Sequence, residues 1–296
     1  VTTTPTPDAL RPRRSVLYMP GANERALEKA ATLPADALIL DLEDAVAPDA
    51  KADARARVRD AVGEDRYGRR EVAIRVNGLD TGWFRDDVAA VAAAGPDAVL
   101  VPKVDSADDV ATIERALADA GVPDETSIWA MLETPAAVLH AEAICTASDR
   151  LTVLVMGTND LAKELQVPHL PGRAPLATSL SWCVLAARHG GKVIIDGVHN
   201  DLEDTEGFAD ECRQGRELGF DGKTLIHPKQ LEVCNATFAP SEAEVAEAHE
   251  VIAAYVAAQE EGRGVVTVRG RMIEALHVEQ ARQTVAQAEA IAALQD

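Results

Sequence analysis

The chain has 296 residues, 47% of them hydrophobic, with 29 Lys and Arg against 49 Asp and Glu for a formal net charge of -20. That excess of negative charge argues against nucleic acid or an anionic membrane as partner, and 3% aromatic content leaves little for a base-stacking platform. No apolar run approaches the length that spans a bilayer, and the hydrophobic content suffices for one large core or two ordinary ones.

The first residues, Val1-Thr-Thr-Thr-Pro-Thr-Pro, are polar and Pro-broken. Residues 1–12 are expected to form a disordered tail and not a signal peptide. An alternation of short apolar runs and helical stretches follows. Ser15–Met19 reads as a strand, Glu24–Leu33 as a helix, Ala37–Asp41 as a second strand and Lys51–Val62 as a helix. Glu71–Val76 and Ala98–Lys103 are strands three and four around an Ala-rich helix, and Asp109–Ala120 is helical. Strands five to eight fall at Ser127–Leu132, Leu151–Met156, Lys192–Asp196 and Lys223–Ile226, with helices at Leu176–His189 and Phe208–Leu218 separating the last three. Ser241-Glu-Ala-Glu244 is a capping box that opens a helix running to about Gln259. Gly262–Gly270 suggests a short strand and turn, and Met272–Ala293 a final helix with Glu274 near its start.

Parallel strands need crossover helices and are buried on both faces, so Val/Ile/Leu-rich runs alternating with helices predict a parallel sheet. The number of such units fits an α/β fold of the (β/α)₈ type better than an open sheet, and no GxGxxG follows the first strand. The expected organisation is a tail (1–12), a barrel (13–238) and a C-terminal helical extension, lid or oligomer arm (239–296). Cys145, Cys183, Cys212 and Cys234 lack CxxC spacing and read as reduced thiols of a cytoplasmic protein.

Charged residues gather where the strands end. Asp41, Glu43, Asp44, Arg75, Lys103, Glu133, Asp160, Asp196 and His227 all fall at or just past strand C-terminal ends, the rim on which barrel active sites are built. Glu133 and Asp160 follow neighbouring strands and suit a hard divalent cation, Mg²⁺, with water and substrate oxygens as further ligands. They could equally be loop acids that start helices. Arg75 can fork a carboxylate or stabilise an enolate oxygen, or pair with Glu43 or Asp44. Arg25 and Lys29 share a face of the first helix behind Pro20-Gly21-Ala-Asn23, with Arg14 before strand one; this is a phosphate cradle or an ordinary helix surface. Gly157-Thr158-Asn159 offers backbone N–H groups to an anion beside Asp160, and His227 reads as structural.

Together these stretches resemble the citrate lyase β-subunit-like CoA-ester lyases of the HpcH/HpaI aldolase superfamily. The matching segments are Arg14-Ser-Val-Leu-Tyr18-Met-Pro-Gly21 with Arg25 and Lys29, Leu40-Asp-Leu-Glu43-Asp44, Ile74-Arg75-Val-Asn77, Val101-Pro-Lys103, Leu132-Glu133-Thr134, Met156-Gly-Thr-Asn-Asp160-Leu and Ile226-His227-Pro228. The resemblance implies a Mg²⁺-dependent barrel, a homotrimer or homohexamer, with Glu133 and Asp160 as metal ligands. It implies Arg75 on the substrate and Tyr18, Arg25 and Lys29 at the CoA entrance, with Arg14 nearby; Asp44 is a further catalytic candidate, and the backbone of Gly157 and Thr158 suits the carboxylate of a 2-oxo or 2-hydroxy acid. A carboxylate from a neighbouring subunit's C-terminal segment acts as acid/base in the family. That position is Glu274 here, where many lyases carry Asp. The implied reaction is cleavage of malyl-CoA or citramalyl-CoA to acetyl-CoA and a 2-oxo acid. Hydrolysis of (3S)-malyl-CoA to malate and CoA is a close rival, and a catalytically silent subunit or a phosphoenolpyruvate-type lyase or mutase are further alternatives.

Overall fold

The computed structural model describes residues 11–295, so the expected tail lies outside the described residues apart from Arg11 and Pro12. Two compact units are present, Arg13–Phe238 and a second from Ala239 onward. No helix among the described residues is long and apolar enough to cross a membrane.

The first unit is a closed barrel of parallel strands in sequential order, with β1 pairing back onto β8. The strands are β1 (Ser15–Pro20), β2 (Ala37–Asp41), β3 (Glu71–Arg75), β4 (Ala98–Val101), β5 (Ser127–Leu132), β6 (Leu151–Met156), β7 (Val193–Asp196) and β8 (Gly222–Leu225). Helices α1 (Glu24–Ala30), α2 (Lys51–Gly63), α3 (Phe84–Ala94) and α4 (Ala107–Asp119) provide the first crossovers. Two short helices, α5 (Pro135–Leu139) and α6 (Ala141–Cys145), follow β5, and α7 (Thr158–Glu164) and α8 (Ala177–His189) follow β6. The barrel closes with α9 (Thr205–Leu218) and α10 (Leu231–Phe238). Several helix starts are fixed by side chains: Asn23, Ser106, Thr134 and Asp204 accept N–H bonds from Ala26, Asp109, Ala137 and Gly207.

Successive side chains on a strand point to opposite faces, and this period of two decides what each strand contributes. Val16, Ile39, Ala73, Leu100, Trp129, Val155 and Ile195 point inward and pack together as the barrel's central core. Their neighbours Leu17, Leu38, Leu40, Ile74, Val99, Leu154 and Ile194 point outward into the layer beneath the helices. Each such side chain, taken fully out of water, contributes about 1.5–3 kcal/mol. Continuing the inward phase to the strand C-terminal ends reaches Tyr18, Asp41, Arg75, Met131 and Glu133; continuing the outward phase reaches Asp196.

In the second unit, α11 (Glu242–Glu260) opens on the Ser241/Glu244 capping box. It has its own small core with β9 (Val266–Val268), β10 (Arg271–Ile273) and α12 (Ala275–Gln295), centred on Val251, Tyr255, Val268, Ile273 and Val278. Here the structure corrects the sequence reading. Met272 and Ile273 do not start the last helix but belong, with Arg271, to the return strand of an antiparallel hairpin. Arg269 and Gly270 both have positive φ, 49° and 79°. That is the pair of left-handed residues a tight two-residue hairpin turn requires.

Candidate active site

The inward-pointing residues at the strand C-terminal ends, together with the loops after β6, β7 and β8, line a pocket of about 380 Å³. Tyr18, Asp41, Asp44, Arg75, Glu133 and Asp160 all border it. Gly21 allows the β1–α1 loop to close over the end of β2. Its N–H donates to the Asp41 carbonyl at 2.9 Å, and a Cβ there would stand 2.6 Å from that oxygen.

Arg75 is the most heavily held of these side chains. Its Nε and Nη2 donate to the two Asp41 carboxylate oxygens at 2.6 and 2.7 Å. Nη1 lies 2.8 Å from Glu43 and 3.8 Å from the exposed Asp44, and the guanidinium stacks 4.9 Å over the Tyr18 ring. Burial opposes its charge, but Tyr18, Asp41 and Glu43 hold its pKa well above the usual value. Asp41 also accepts N–H bonds from Glu43 and Ala45 at 2.9 and 3.1 Å, so one carboxylate shapes the β2–α2 loop and aligns the arginine. Nη1 also donates to Met131 Sδ at 3.9 Å, so of the five N–H bonds in a guanidinium these contacts leave one, on Nη2.

Glu133 lies one step past β5 and is 2% exposed. Its Oε1 accepts the backbone N–H of Lys103 at 2.9 Å. Lys103 reaches this position with φ of +52° and sends its ammonium to Glu43 at 3.6 Å. Burial, then the negative charge of Glu43, pushes the Glu133 pKa up to about 7; Asp160 raises it further while Lys103 opposes the rise. A buried carboxylate in surplus negative charge is a group that a bound cation would satisfy. Among the described residues no cluster of three or more His, Cys, Asp and Glu is placed to hold a metal. The available protein donors are the pair Glu133 and Asp160, on β5's end and in the first turn of α7. A pair of carboxylates fits Mg²⁺, which keeps several water or substrate ligands.

The other expected residues divide. Arg25 and Lys29 lie exposed on α1, the helix that starts just beyond β1 at the mouth of the barrel. Arg14 does not join them. It precedes β1 and is therefore at the opposite end, where it is 5% exposed and bidentate to Asp36 at 2.8 Å. Gly157 does not offer its N–H to a ligand, because that group donates to the Leu132 carbonyl at 3.1 Å. Its lack of a side chain matters instead, since a Cβ would collide with Glu133. Thr158 borders the pocket and opens α7, where the first N–H groups have no intrahelical partner. His227 is structural: its Nδ1 accepts the Lys229 N–H at 3.1 Å and caps a short turn.

Asp196 is also separate from the pocket. Its outward phase sends it into a buried network, with Arg173 Nη1 at 2.7 Å and the fully buried Lys223 ammonium at 3.2 Å. Lys223 also reaches Glu211 at 2.6 Å, and Glu211 holds His199 Nδ1 at 3.0 Å. Glu274, in the second unit, is exposed just before α12. Its N–H donates to His277 Nδ1 at 3.0 Å, and its carboxylate makes no ion pair among the described residues. Sequence reasoning missed the clamp of Asp41 on Arg75 and the Lys103 N–H on Glu133. Both residues had been placed on the rim, and strand phase was the available signal for Asp41.

This fold and pocket define a TIM barrel whose site brings a buried arginine together with the carboxylates of Glu133 and Asp160. Residues 14–228 match the HpcH/HpaI aldolase/citrate lyase family, and residues 174–292 match the C-C_Bond_Lyase of the TIM-barrel fold. The chain belongs to the HpcH/HpaI aldolase/citrate lyase family. It is 54% identical to a (3S)-malyl-CoA thioesterase of Cereibacter sphaeroides over 95% of this chain and 96% of the relative. It is 36% identical to the L-malyl-CoA/β-methylmalyl-CoA lyase of the same species over 98% of each. The protein CitE of Mycobacterium tuberculosis, solved with magnesium, acetoacetate and coenzyme A, superposes with a TM-score of 0.76 at 28% identity, covering 93% of this chain and 97% of that one.

Proposed function

We propose that this chain is a Mg²⁺-dependent enzyme acting on a small 3-hydroxyacyl-CoA dicarboxylate of the malyl-CoA type. The observation that carries the reading is Glu133: a buried, charge-crowded carboxylate that shares one pocket with Asp160 and Arg75. Glu133 and Asp160 would hold the ion, and when bound it would polarise the substrate's hydroxyl or carbonyl oxygen. Arg75, fixed by Asp41, offers its charge and its remaining Nη2 N–H to the thioester oxygen as negative charge develops there. Arg25 and Lys29 supply positive charge for the CoA phosphates. Supplied by the C-terminal segment of a neighbouring subunit, Glu274 moves the proton as general acid/base.

Two overall reactions suit this set. In C–C cleavage a base takes the hydroxyl proton, the electron pair of the broken bond forms the thioester enolate, and a proton returned to its carbon gives acetyl-CoA beside the 2-oxo acid. In hydrolysis Glu274 activates water against the thioester carbon, giving malate and free CoA. Likeness to the thioesterase at 54% identity, against 36% for the lyase, favours hydrolysis. The retained Arg75, Glu133 and Asp160 speak against a silent subunit.

Incubating the protein with Mg²⁺ and malyl-CoA and resolving products by mass decides between them. Free CoA with malate supports hydrolysis, and acetyl-CoA with glyoxylate supports cleavage. No turnover of malyl-CoA or citramalyl-CoA would overturn the enzyme reading. Glu274→Ala should retain Mg²⁺ binding by calorimetry and lose turnover; wild-type rates would remove Glu274 from the mechanism. We further infer a cytoplasmic homo-oligomer, trimer or hexamer. Four buried free thiols and the half-exposed Trp182 beside Leu185 on α8 support that reading, and light scattering tests the mass.

A further inference from the structure

Beside the barrel pocket lies a second cavity, also about 380 Å³, between the 169–176 loop, the loop after β7 and α9. Thr158 and Val198 border both cavities, so these two residues lie where the cavities meet. They differ in how firmly they are set. Thr158 is 3% exposed and fills the space above Gly197, where a Cβ would collide with it. Val198 is only half-buried and presents an alkyl side chain from a firmly tied backbone. On one side of it the Gly197 carbonyl accepts from the Lys223 ammonium. On the other, His199 is held by Glu211 at 3.0 Å and through its carbonyl by Gln230 at 3.1 Å. Asn200 forms a reciprocal amide pair with Asn159 at 2.7 and 3.1 Å. Shortening the Val198 side chain therefore widens that junction without freeing the loop. Beyond it, Leu170, Pro171 and Leu176 line one part of a cavity that Asp201, Asp204, Asp210, Glu211 and Gln214 also border.

The junction opens onto the place where the reactant is held. Thr158 and Val198 border the same pocket as Glu133 and Asp160, so a ligand held by those two carboxylates shares that space with both residues. We propose that Val198 sets the upper size limit for the carbon chain of the acid held at Glu133 and Asp160, and that the second cavity is the space a longer chain would enter. The inference rests on the metal-site reading above but not on which bond breaks. Both reactions place an α-oxygenated carboxylate at that site. A fixed wall discriminates by one or two carbons with a factor of about 10 to 200.

The test is calorimetric binding of glyoxylate, pyruvate, 2-oxobutyrate and 2-oxovalerate in the presence of Mg²⁺ to the full chain. In the wild type, affinity should fall steeply along the series. Val198→Ala should improve 2-oxovalerate relative to glyoxylate by about 10-fold. Adding Leu170→Trp, at a position 48% exposed on the far lining, should refill the space and abolish that gain. An unchanged ratio in Val198→Ala, or a gain that survives Leu170→Trp, overturns the proposal. If none of the four acids binds the wild type with Mg²⁺, the metal-site reading fails and takes this inference with it. That outcome is distinct from good binding without a size step, which removes the inference alone.

Discussion

Asp41 and Asp196 are the last residues of their strands, one in the inward phase and one in the outward phase, and their surroundings differ accordingly. Around Asp196 the charges balance: Arg173 and Lys223 face Asp196 and Glu211. Burial alone would raise both carboxyl pKa values, yet Lys223 and Arg173 bring them below the ordinary range. Around Asp41 the charges do not balance. Arg75 and Lys103 face Asp41, Glu43 and Asp44, while Glu133 and Asp160 add further negative charge. The consequence is a Glu133 pushed up to about 7. Both groups are buried ion clusters in one barrel, but only the inner one has charge left over for a ligand. Perturbed carboxylates in clefts mark functional sites for this reason, whereas a neutralised cluster behind the strands fixes structure.

The largest expected effect lies on the inner side. Glu133→Ala or Asp160→Ala should reduce turnover of malyl-CoA to the level seen without Mg²⁺, and Mg²⁺ should no longer raise the melting temperature of either variant. Metal-independent activity at the wild-type rate would dissolve the contrast between the two clusters. Next comes the outer side. Asp196→Ala leaves two buried cations facing Glu211 alone, and breaking a buried pair this way costs about 3–5 kcal/mol. Urea unfolding should show that loss; a variant as stable as wild type would mean that the outer cluster does not fix structure.

How far these clusters can be read from sequence depends on geometry of different ranges. The eight strands lie within two residues of their expected positions, because runs such as Ala37-Leu-Ile-Leu are apolar on both faces and bounded by helix signals. Strand phase, also local, separates Asp41, Arg75 and Glu133 from Asp196 once each strand is counted in twos. Treating every charged residue past a strand as one rim hid that separation. Arg14 was misplaced for a related reason, since it precedes its strand and a barrel site is built on the residues that follow. The remaining features need contacts between strands. The bidentate Asp41–Arg75 pair depends on β2 and β3 being in register with those residues opposite each other. The Lys103 N–H meets Glu133 only through a left-handed backbone that Val101-Pro-Lys103 does not announce. The hairpin before α12 was hidden likewise. Its turn uses Arg269-Gly270 where Asn-Gly or Asp-Gly would have signalled it, and Met272-Ile273 runs without a break into helix-forming sequence.

The smallest effect is also the sharpest test of uncompensated charge, because its sign differs between the two clusters. Glu133 has a folded-state pKa raised from 4.5 to about 7. The native state therefore binds a proton more tightly than the unfolded chain, and this contribution is fully present below about pH 4.5. It is lost as pH rises toward 7, by up to about 3 kcal/mol for a group this buried. Asp196 and Glu211 have lowered values, so their contribution is present above the ordinary carboxyl range and is lost as pH falls through their folded-state values. Metal-free protein should thus become less stable between pH 4.5 and 7 in urea titrations. Glu133→Gln should flatten that slope and be the more stable protein at pH 8. Mg²⁺ should restore wild-type stability there but not alter Glu133→Gln, since ligand linkage acts only through an occupied site. An identical pH slope in wild type and Glu133→Gln would show that the inner carboxylate carries no excess charge, and the distinction between the clusters would then rest on phase alone.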